Sequence, residues 1–206
     1  MILETVESAK YLGITISKDL RWHNHICAVA KKCNSTLHFI SRNLHDCSRN
    51  SRSLAYTTLV RPKLEYCATV WDPHTKKDCD TLEKINRRAA RMVFKKPPKG
   101  QDVSPTQLLE KLEWKTLEER RKDLRLTMLY RIDNGLVAIP PTRLQEPERK
   151  LRGHCRKFQT IRTSSDTVKF SFYPRTIPQW NLLPSKTVTA TSVEDFKKKL
   201  RQDTEH

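Results

Sequence analysis

Apolar residues recur at every third or fourth position through much of the chain, and this pattern predicts a mainly α fold. The clearest case is the segment from Trp22 to about Cys47. Its apolar residues fall on one stripe of a helix, because three- and four-residue steps match the helical repeat. The stripe comprises Ile26, Val29, Ala30, Cys33, Leu37, Ile40 and Leu44. The residues off the stripe, which we expect to face solvent or a ligand, include Lys31, Lys32, His38 and Arg42.

A β-hairpin is predicted before this helix. Its strands would cover residues 2–8 and 10–17, with the turn at Ser8 to Lys10. The β-branched run Ile14–Ile16 favours the second strand, because such side chains pack well on a pleated surface.

Four further helices are predicted over residues 51–71, 78–95, 106–114 and 117–133. The buried side of the first of these would consist of Leu54, Leu59, Leu64, Cys67 and Trp71. Pro62 should kink or split that helix, since proline removes a backbone donor. The fourth should begin at a capping box formed by Thr116 and Glu119 and stop at Asn134-Gly135.

Helical periodicity is lost after Pro140-Pro141 and returns only at Ser192. The region between them is therefore expected to be irregular. A short terminal helix should follow Ser192, with Val193, Phe196 and Leu200 on one side. Soft domain boundaries are expected near residues 97–104 and near residue 140, where prolines interrupt the helical pattern.

The charge of the chain points to a polyanionic partner. Its 206 residues include 40 Lys and Arg against 23 Asp and Glu, a net charge of +17. Residues 48–100 carry +8 and residues 141–206 carry +7, whereas residues 101–140 are neutral. Such an excess fits RNA, DNA or an anionic membrane surface, although a merely soluble basic protein is the alternative.

The location of the protein is expected to be the nucleus and/or the cytoplasm. No apolar run approaches the roughly 20 residues needed to cross a bilayer, so no membrane partner is expected. The residues after Met1 lack a secretory signal. Six cysteines without a tight framework indicate free thiols in a reducing compartment.

The helix at 78–95 carries the best candidate contact for nucleic acid. Lys84, Arg88, Arg91 and Lys95 are spaced by four, three and four residues, and Arg87 borders them. They share one face, opposite the apolar residues, and extend over roughly 16 Å at the helical rise. This length could follow two or three phosphates. A solvated helix face is the alternative, but acidic partners at four-residue spacing are largely missing, with Glu83–Arg87 the main exception.

The C-terminal block interleaves basic and aromatic residues. Its candidate nucleic-acid contacts are Arg152, Arg156, Lys157 and Arg175. The aromatic residues are Phe158, Phe170, Phe172, Tyr173 and Trp180. Rings among arginines can stack unpaired bases while the cations bind phosphate. Alternatively the rings form a small core, which we expect for Phe172 and Trp180.

Catalytic and metal sites find little support in the residues. Cys27 and Cys33 are poorly placed to face each other on one helix, and the histidines follow no zinc spacing. Cys33 and Cys67 are expected to be small core residues. Serines and histidines form no local nucleophile motif, although a triad assembled in space is left open.

Five stretches along the chain together form a family pattern. They are Lys10–Gly13 with Trp22, His25 and Ile26; Arg61–Cys67 with Trp71–Pro73; Leu82–Ile85 with Arg87–Arg91; Arg120 and Arg121 with Leu124, Tyr130, Asn134 and Gly135; and Ser171–Ile177 with Trp180, Asn181, Leu183 and Pro184. In this combination the chain resembles the C-terminal end of the reverse transcriptase of a LINE-type, jockey-like non-LTR retrotransposon.

The resemblance implies four parts. Residues 1–21 would be the palm-end hairpin, whose Tyr11, Leu12 and Gly13 would form the primer grip. Residues 22–96 would be a thumb-like helical bundle, residues 97–140 its helical continuation, and residues 141–206 a basic extension with a short terminal helix. Tyr11 and Leu12 as plain hairpin core residues are the alternative. RNA and DNA, as template–primer and element RNA, would be the partners, together with the polymerase palm and fingers.

The chain departs from the family at the catalytic centre. Such polymerases hold two metal ions with an Asp-Asp strand, because both reacting oxygens develop charge. This chain has no Asp-Asp pair. We therefore expect no catalytic residue, no metal site and no cofactor here, since Mg²⁺ would belong to the missing palm.

The expected function is that of a nucleic-acid-binding fragment of an RNA-directed DNA polymerase, inactive alone. A helical protein-interaction or structural module derived from a retroelement is the alternative, and an unfolded relic of a decayed element is a third.

Overall fold

The computed structural model describes residues 6–95, 104–147 and 154–203. It confirms the predicted class, because a two-strand antiparallel hairpin is followed by helices. The chain forms two compact units, residues 1–120 and 121–206. Within the described residues, no helix is long and apolar enough to cross a membrane.

The hairpin consists of β1 (Ser8–Tyr11) and β2 (Ile14–Ser17), with Tyr11 opposite Ile14. Its turn is Leu12-Gly13, both at positive φ, +45° and +83°. The predicted turn at Ser8 to Lys10 is therefore wrong. A two-residue turn with positive φ at both positions matches the twist of the strands, and glycine adopts it without strain. Residues 2–5 of the predicted first strand lie outside the described residues.

The helices of the first unit are α1 (His23–Asn43), α2 (Arg49–Ala55), α3 (Arg61–Glu65), α4 (Ala68–Trp71), α5 (Lys76–Val93) and α6 (Pro105–Lys111). Its core includes Ile26, Cys33, Leu37, Ile40, Tyr56, Val60, Leu64, Trp71, Leu82, Ile85, Ala89 and Val93. Most of the predicted stripe of α1 is buried, while Val29 and Leu44 are only half-buried. Cys33 is a core residue as predicted, whereas Cys67 is half-buried.

The predicted helix over 51–71 is split just before Pro62, as expected, but part of its predicted buried face is wrong. A π-helical turn, Tyr56–Val60, separates α2 from α3, and the Arg61 N–H donates to the Tyr56 carbonyl. Leu54, before the wide turn, and Leu59, within it, are 63% and 49% exposed. The extra residue in this turn rotates the residues that follow it around the helix axis.

Pro62 explains why the wide turn lies there. In a regular helix its ring would meet the carbonyl four residues earlier, at Thr58. The residues that are buried along this segment are Arg52, Tyr56, Val60, Leu64, Ala68 and Trp71.

Helix α7 (Leu117–Asp133) has the predicted bounds. The Thr116 N–H donates to Glu119 Oε2 (2.9 Å) and the Glu119 N–H to Thr116 Oγ1 (3.2 Å), which is the expected capping box. At the other end Gly135 has φ +66°, and the Leu136 N–H donates to the Arg131 carbonyl (2.8 Å). This pattern is a Schellman stop, as predicted from Asn134-Gly135.

The second unit contains helices from Asp166 onward, so the prediction of an irregular stretch is wrong for this part; the described residues between 141 and 165 contain no helix or strand, as expected. Its further helices are α8 (Asp166–Lys169), α9 (Phe172–Asn181), α10 (Ser185–Val188) and α11 (Val193–Asp203). Helices α8 and α10 have four residues each, and α9 contains Pro174 and Pro178, so none of the three shows a clear helical period in the sequence. Helix α11 confirms the predicted terminal helix, with Phe196 and Leu200 buried.

Aromatic rings form much of the core of the second unit. Trp180 is fully buried, stacks on Phe158 and Phe196, and donates its indole N–H to the Arg156 carbonyl (2.8 Å). The expectation that Trp180 is a core residue is thus confirmed, and Phe172 packs half-buried against the same cluster.

Candidate nucleic-acid interface

Helices α1 and α5 lie side by side and run in the same direction. Near their N-termini, His23 Nδ1 lies 2.7 Å from Asp78 Oδ1. Farther along, Arg88 Nη1 donates to Asn34 Oδ1 at 2.5 Å. These pairs are 55 and 54 residues apart in sequence, so the two helices advance together, and equal steps along each reach the same height.

The cations of α5 are on its solvent side, as the sequence predicts. Lys84, Arg87, Arg88 and Arg91 are exposed, opposite the buried apolar residues. Lys95 is exposed but lies just beyond the end of the helix, at φ +46°, rather than within it.

Helix α1 adds a second row of basic side chains next to this stripe. Lys31 and His38 are three residues before and four residues after Asn34, so they share its side of the helix. Lys84 lies four residues before Arg88 and Arg91 three residues after it, so they share the side of Arg88 on α5. The Asn34–Arg88 hydrogen bond therefore brings the two rows together. We call this surface the basic face; it comprises Lys31, His38, Arg42, Lys84, Arg87, Arg88, Arg91 and Lys95, all exposed.

Among the residues that the structure describes, acidic side chains do little to neutralise the basic face. Helix α1 contains no Asp or Glu, and α5 contains Asp78, Asp80 and Glu83. Asp46 is the acid at the far end, where it lies 3.7 Å from Lys95. The hydrogen bond and charge of His45, and then the charge of Lys95, lower the pKa of Asp46.

Glu83 was expected to pair with Arg87, and the structure places it elsewhere. Glu83 is buried and accepts hydrogen bonds from Asn86 Nδ2 (2.9 Å) and from the Leu117 N–H (2.9 Å). Its charge therefore serves the first turn of α7, where backbone N–H groups favour an anion. The main acidic exception that the sequence offered is thereby removed from the basic face.

The hairpin tip presents two exposed side chains. Tyr11 and Leu12 are 66% and 71% exposed, so the alternative that they are core residues is wrong. Tyr66 supports the tip, because its Oη donates a hydrogen bond to the Leu12 carbonyl (3.2 Å). A Cβ at Gly13 would lie 3.5 Å from the ring of Tyr66, and its φ of +83° favours glycine.

The C-terminal candidates do not form a comparable stripe. Arg152 lies outside the described residues. Arg156 is half-buried and occupied, because it pairs with Asp133 (2.6 Å) and donates to Asn134 Oδ1 (3.2 Å) and to the Val188 carbonyl (3.3 Å). Burial raises the pKa of Asp133 and Arg156 opposes the rise. The structure thus gives Arg156 a structural role.

Lys157 and Arg175 are both half-buried within the second unit. Arg175 lies near Arg125, which is buried and donates to Gln179 Oε1 (2.9 Å). Burial, with a smaller contribution from the charge of Arg175, lowers the pKa of Arg125 to about 9.

The residues on α1 were noted in the sequence only as lying off the apolar stripe. Their closeness to the α5 cations depends on parallel packing of helices that are more than fifty residues apart, which no local pattern shows. Among the side chains that the structure describes, no group of three or more His, Cys, Asp or Glu residues is arranged to hold a metal ion.

Comparison with known proteins returned no match to a family model, to a curated protein or to a solved structure.

Proposed function

We propose that this protein binds nucleic acid through the basic face, as the template–primer-holding part of a reverse transcriptase like those of LINE-type retrotransposons. The observation that supports the proposal is the pairing of two cationic rows on parallel helices joined at Asn34–Arg88. Cations at helical spacing match successive phosphates, and each contact releases a counterion from the polymer.

Binding of this kind would depend little on base sequence. The exposed groups are Lys, Arg and His side chains on helix surfaces, which favour phosphate oxygens over base edges. An RNA duplex and an RNA–DNA hybrid each have two phosphate rows, so each row of basic side chains could follow one strand. A single strand could instead lie between the two rows.

The hairpin tip would add a contact of a different kind. Tyr11 offers an exposed ring that can stack on an end base pair. Leu12 is exposed although its positive φ is unfavourable for a branched side chain, and such strain is commonly kept at functional positions. By the resemblance, Tyr11, Leu12 and Gly13 would steady the primer end.

Nucleotide transfer is not assigned to this chain. The residues do not fit the two magnesium ions of the family, since the sequence has no Asp-Asp pair and the described side chains form no metal cluster. The chemistry would belong to a palm that this sequence does not contain.

A mobility-shift titration with an RNA hairpin and with an RNA–DNA duplex tests the proposal. Replacement of Lys84, Arg88 and Arg91 by alanine should weaken binding by roughly 10- to 100-fold at physiological salt. The matched control replaces Lys186, Lys197 and Lys198, three cations of the second unit, and should change binding far less. Equal losses in the two variants, or no binding by the unaltered protein, would reject the proposal.

A second candidate is a protein-interaction module, favoured by the exposure of Leu54 and Leu59 beside the π turn. It predicts monodisperse assembly and negligible affinity for RNA at physiological salt. Sedimentation of the unaltered protein and of a Leu54→Ser, Leu59→Ser variant would reveal whether these leucines hold copies together.

A further inference from the structure

We propose that Cys27 is a reactive thiol, activated by His23 and Asp78, that undergoes exchange with low-molecular-weight disulfides. This proposal does not depend on nucleic-acid binding. It rests on three side chains that the fold places in the order thiol, imidazole, carboxylate.

The geometry comes from one turn of α1 and the start of α5. Cys27 follows His23 by four residues, and Cys27 Sγ lies 3.5 Å from His23 Nε2. The other ring nitrogen, Nδ1, lies 2.7 Å from Asp78 Oδ1. Because a carboxylate only accepts hydrogen bonds, Nδ1 carries the hydrogen of the neutral ring, and in this form the lone pair of Nε2 faces the thiol.

Asp78 is held firmly in place. It is 8% exposed, and its Oδ2 accepts the hydroxyl hydrogen of Thr75 (2.7 Å). Its backbone N–H donates in turn to Thr75 Oγ1 (3.3 Å), the N-cap of α5. The carboxylate is therefore fixed by the start of the helix, and it fixes the ring of His23.

The capping of α5 by Thr75 does not by itself explain why Cys27, His23 and Asp78 lie in contact. Thr75 and Asp78 satisfy each other, whereas Cys27 is exposed and takes no part in the core. A nucleophile and a base in contact, with the base oriented by a third group, is the usual arrangement of an activated cysteine. Cys33, by contrast, is buried, and burial raises its pKa to about 11, so it is an inert thiol.

The exchange balances without any further reactant. The Cys27 thiol gives its proton to His23 Nε2, and the thiolate attacks one sulfur of the disulfide R–S–S–R. The Cys27–S–S–R bond forms as the old S–S bond breaks, and the leaving thiolate takes the proton from the imidazolium as RSH. Lys31, four residues after Cys27 on the same side of α1, favours a disulfide that bears carboxylates.

Limited reaction with dithiobis(nitrobenzoic acid), an anionic disulfide, tests the proposal in the full chain. A metal chelator is kept present, and the modified peptides are quantified by mass spectrometry at neutral pH. Cys47 and Cys155 are also exposed, so each molecule carries its own controls. We expect Cys27 to react at least roughly tenfold faster than either, and His23→Gln to remove this advantage without changing the rates of Cys47 and Cys155.

The role of Asp78 as a positioning residue is tested with Asp78→Asn, whose amide oxygen can still accept from Thr75. This variant should slow Cys27 alone. Cys79 lies next to Asp78 and Cys33 in the core, so unchanged labelling of both reports an intact fold. If a variant does expose Cys33, its fold is disturbed, and the proposal is then judged by the reaction rate of Cys27 relative to Cys47 and Cys155 in the unaltered protein. Equal rates there, or a rate of Cys27 that survives His23→Gln in a folded protein, would overturn the proposal.

Discussion

Arg52 is buried in the first unit, and its guanidinium donates to the backbone carbonyls of His45, Cys47 and Val93. The shortest of these contacts, to Cys47 and to Val93, are both 2.7 Å. These carbonyls belong to the segment after α1 and to the end of α5, where helix ends leave acceptors without partners. A single side chain therefore joins the ends of the two helices that carry the basic face.

Arg52→Met should destabilise the first unit by about 2–4 kcal/mol, because it keeps the apolar stem but leaves buried carbonyls without donors. Urea unfolding measures the loss. Arg42→Met is the matched control: Arg42 is exposed on α1, and its replacement should change the free energy of unfolding by no more than about 0.5 kcal/mol. A small effect at Arg52 would show that water replaces the guanidinium.

His25 makes the hairpin sensitive to pH. It is buried and accepts a hydrogen bond from the Thr15 N–H at Nδ1 (3.2 Å). Burial, and to a smaller extent the charge of Lys32, lowers the pKa of His25 from 6.5. The unfolded chain therefore binds the proton more readily, so the stability that His25 contributes is present above pH 6.5 and is lost as the pH falls through its lowered pKa.

Amide exchange at Thr15, corrected for the intrinsic effect of pH, should show this loss, because a protonated Nδ1 no longer accepts. Exchange protection should be constant above pH 6.5 and decrease in more acidic solution. In His25→Gln, whose amide does not titrate, protection at Thr15 should no longer depend on pH in this way. A local probe is needed because His154 in the second unit also has a pKa lowered by burial. If the protection of the Thr15 amide in the unaltered protein does not change with pH, this role of His25 is contradicted.

Among the helices, the π turn at Tyr56–Val60 offers a test of cause. Deletion of Thr58, an exposed residue in the wide turn, would restore a regular helix and keep Tyr56, Val60 and Leu64 on one face. Pro62 opposes this, because its ring needs the wide turn.

We therefore expect the deletion to destabilise the unaltered protein by about 2–3 kcal/mol and to cost clearly less in a Pro62→Ala background. Thermal unfolding of the four proteins in this cycle measures the coupling. Additive effects would mean that Pro62 does not cause the turn.

The same segment shows how far sequence patterns reach. Helices α1 and α5 were predicted from several turns of apolar repeat, whereas α7 was predicted from the capping box at Thr116 and the stop at Asn134-Gly135. Over residues 51–71 the interruption at Pro62 was predicted, but part of the buried face was not, since the wide turn changes the helical period. The hairpin turn was missed because Leu12 is an unusual residue at positive φ. Helices α8 and α10 are too short for a repeat to be seen, and α9 contains two prolines, which argued against a helix there.

The candidate site divides in the same way. The α5 stripe is a property of one helix, so its spacing revealed it. The inward turn of Glu83, the second row on α1 and the contact of His23 with Asp78 all depend on residues that meet only after folding. The structural role of Arg156 likewise follows from partners about twenty to thirty residues away.

Taken as a whole, the protein carries a net charge of +17, which attracts any polyanion from a distance. General attraction depends on the total positive charge, whereas a defined binding face depends on particular cations. General attraction would respond to any loss of positive charge, whereas a face would respond only to the loss of its own cations.

The dependence of RNA affinity on salt concentration separates these two cases. The slope of log affinity against log salt should become shallower by about two to three when Lys84, Arg88 and Arg91 are replaced by alanine, since each lost phosphate contact removes about 0.7 to 0.9. It should stay nearly constant in the control lacking Lys186, Lys197 and Lys198. Equal slopes for the unaltered protein and the α5 variant would contradict binding at the basic face.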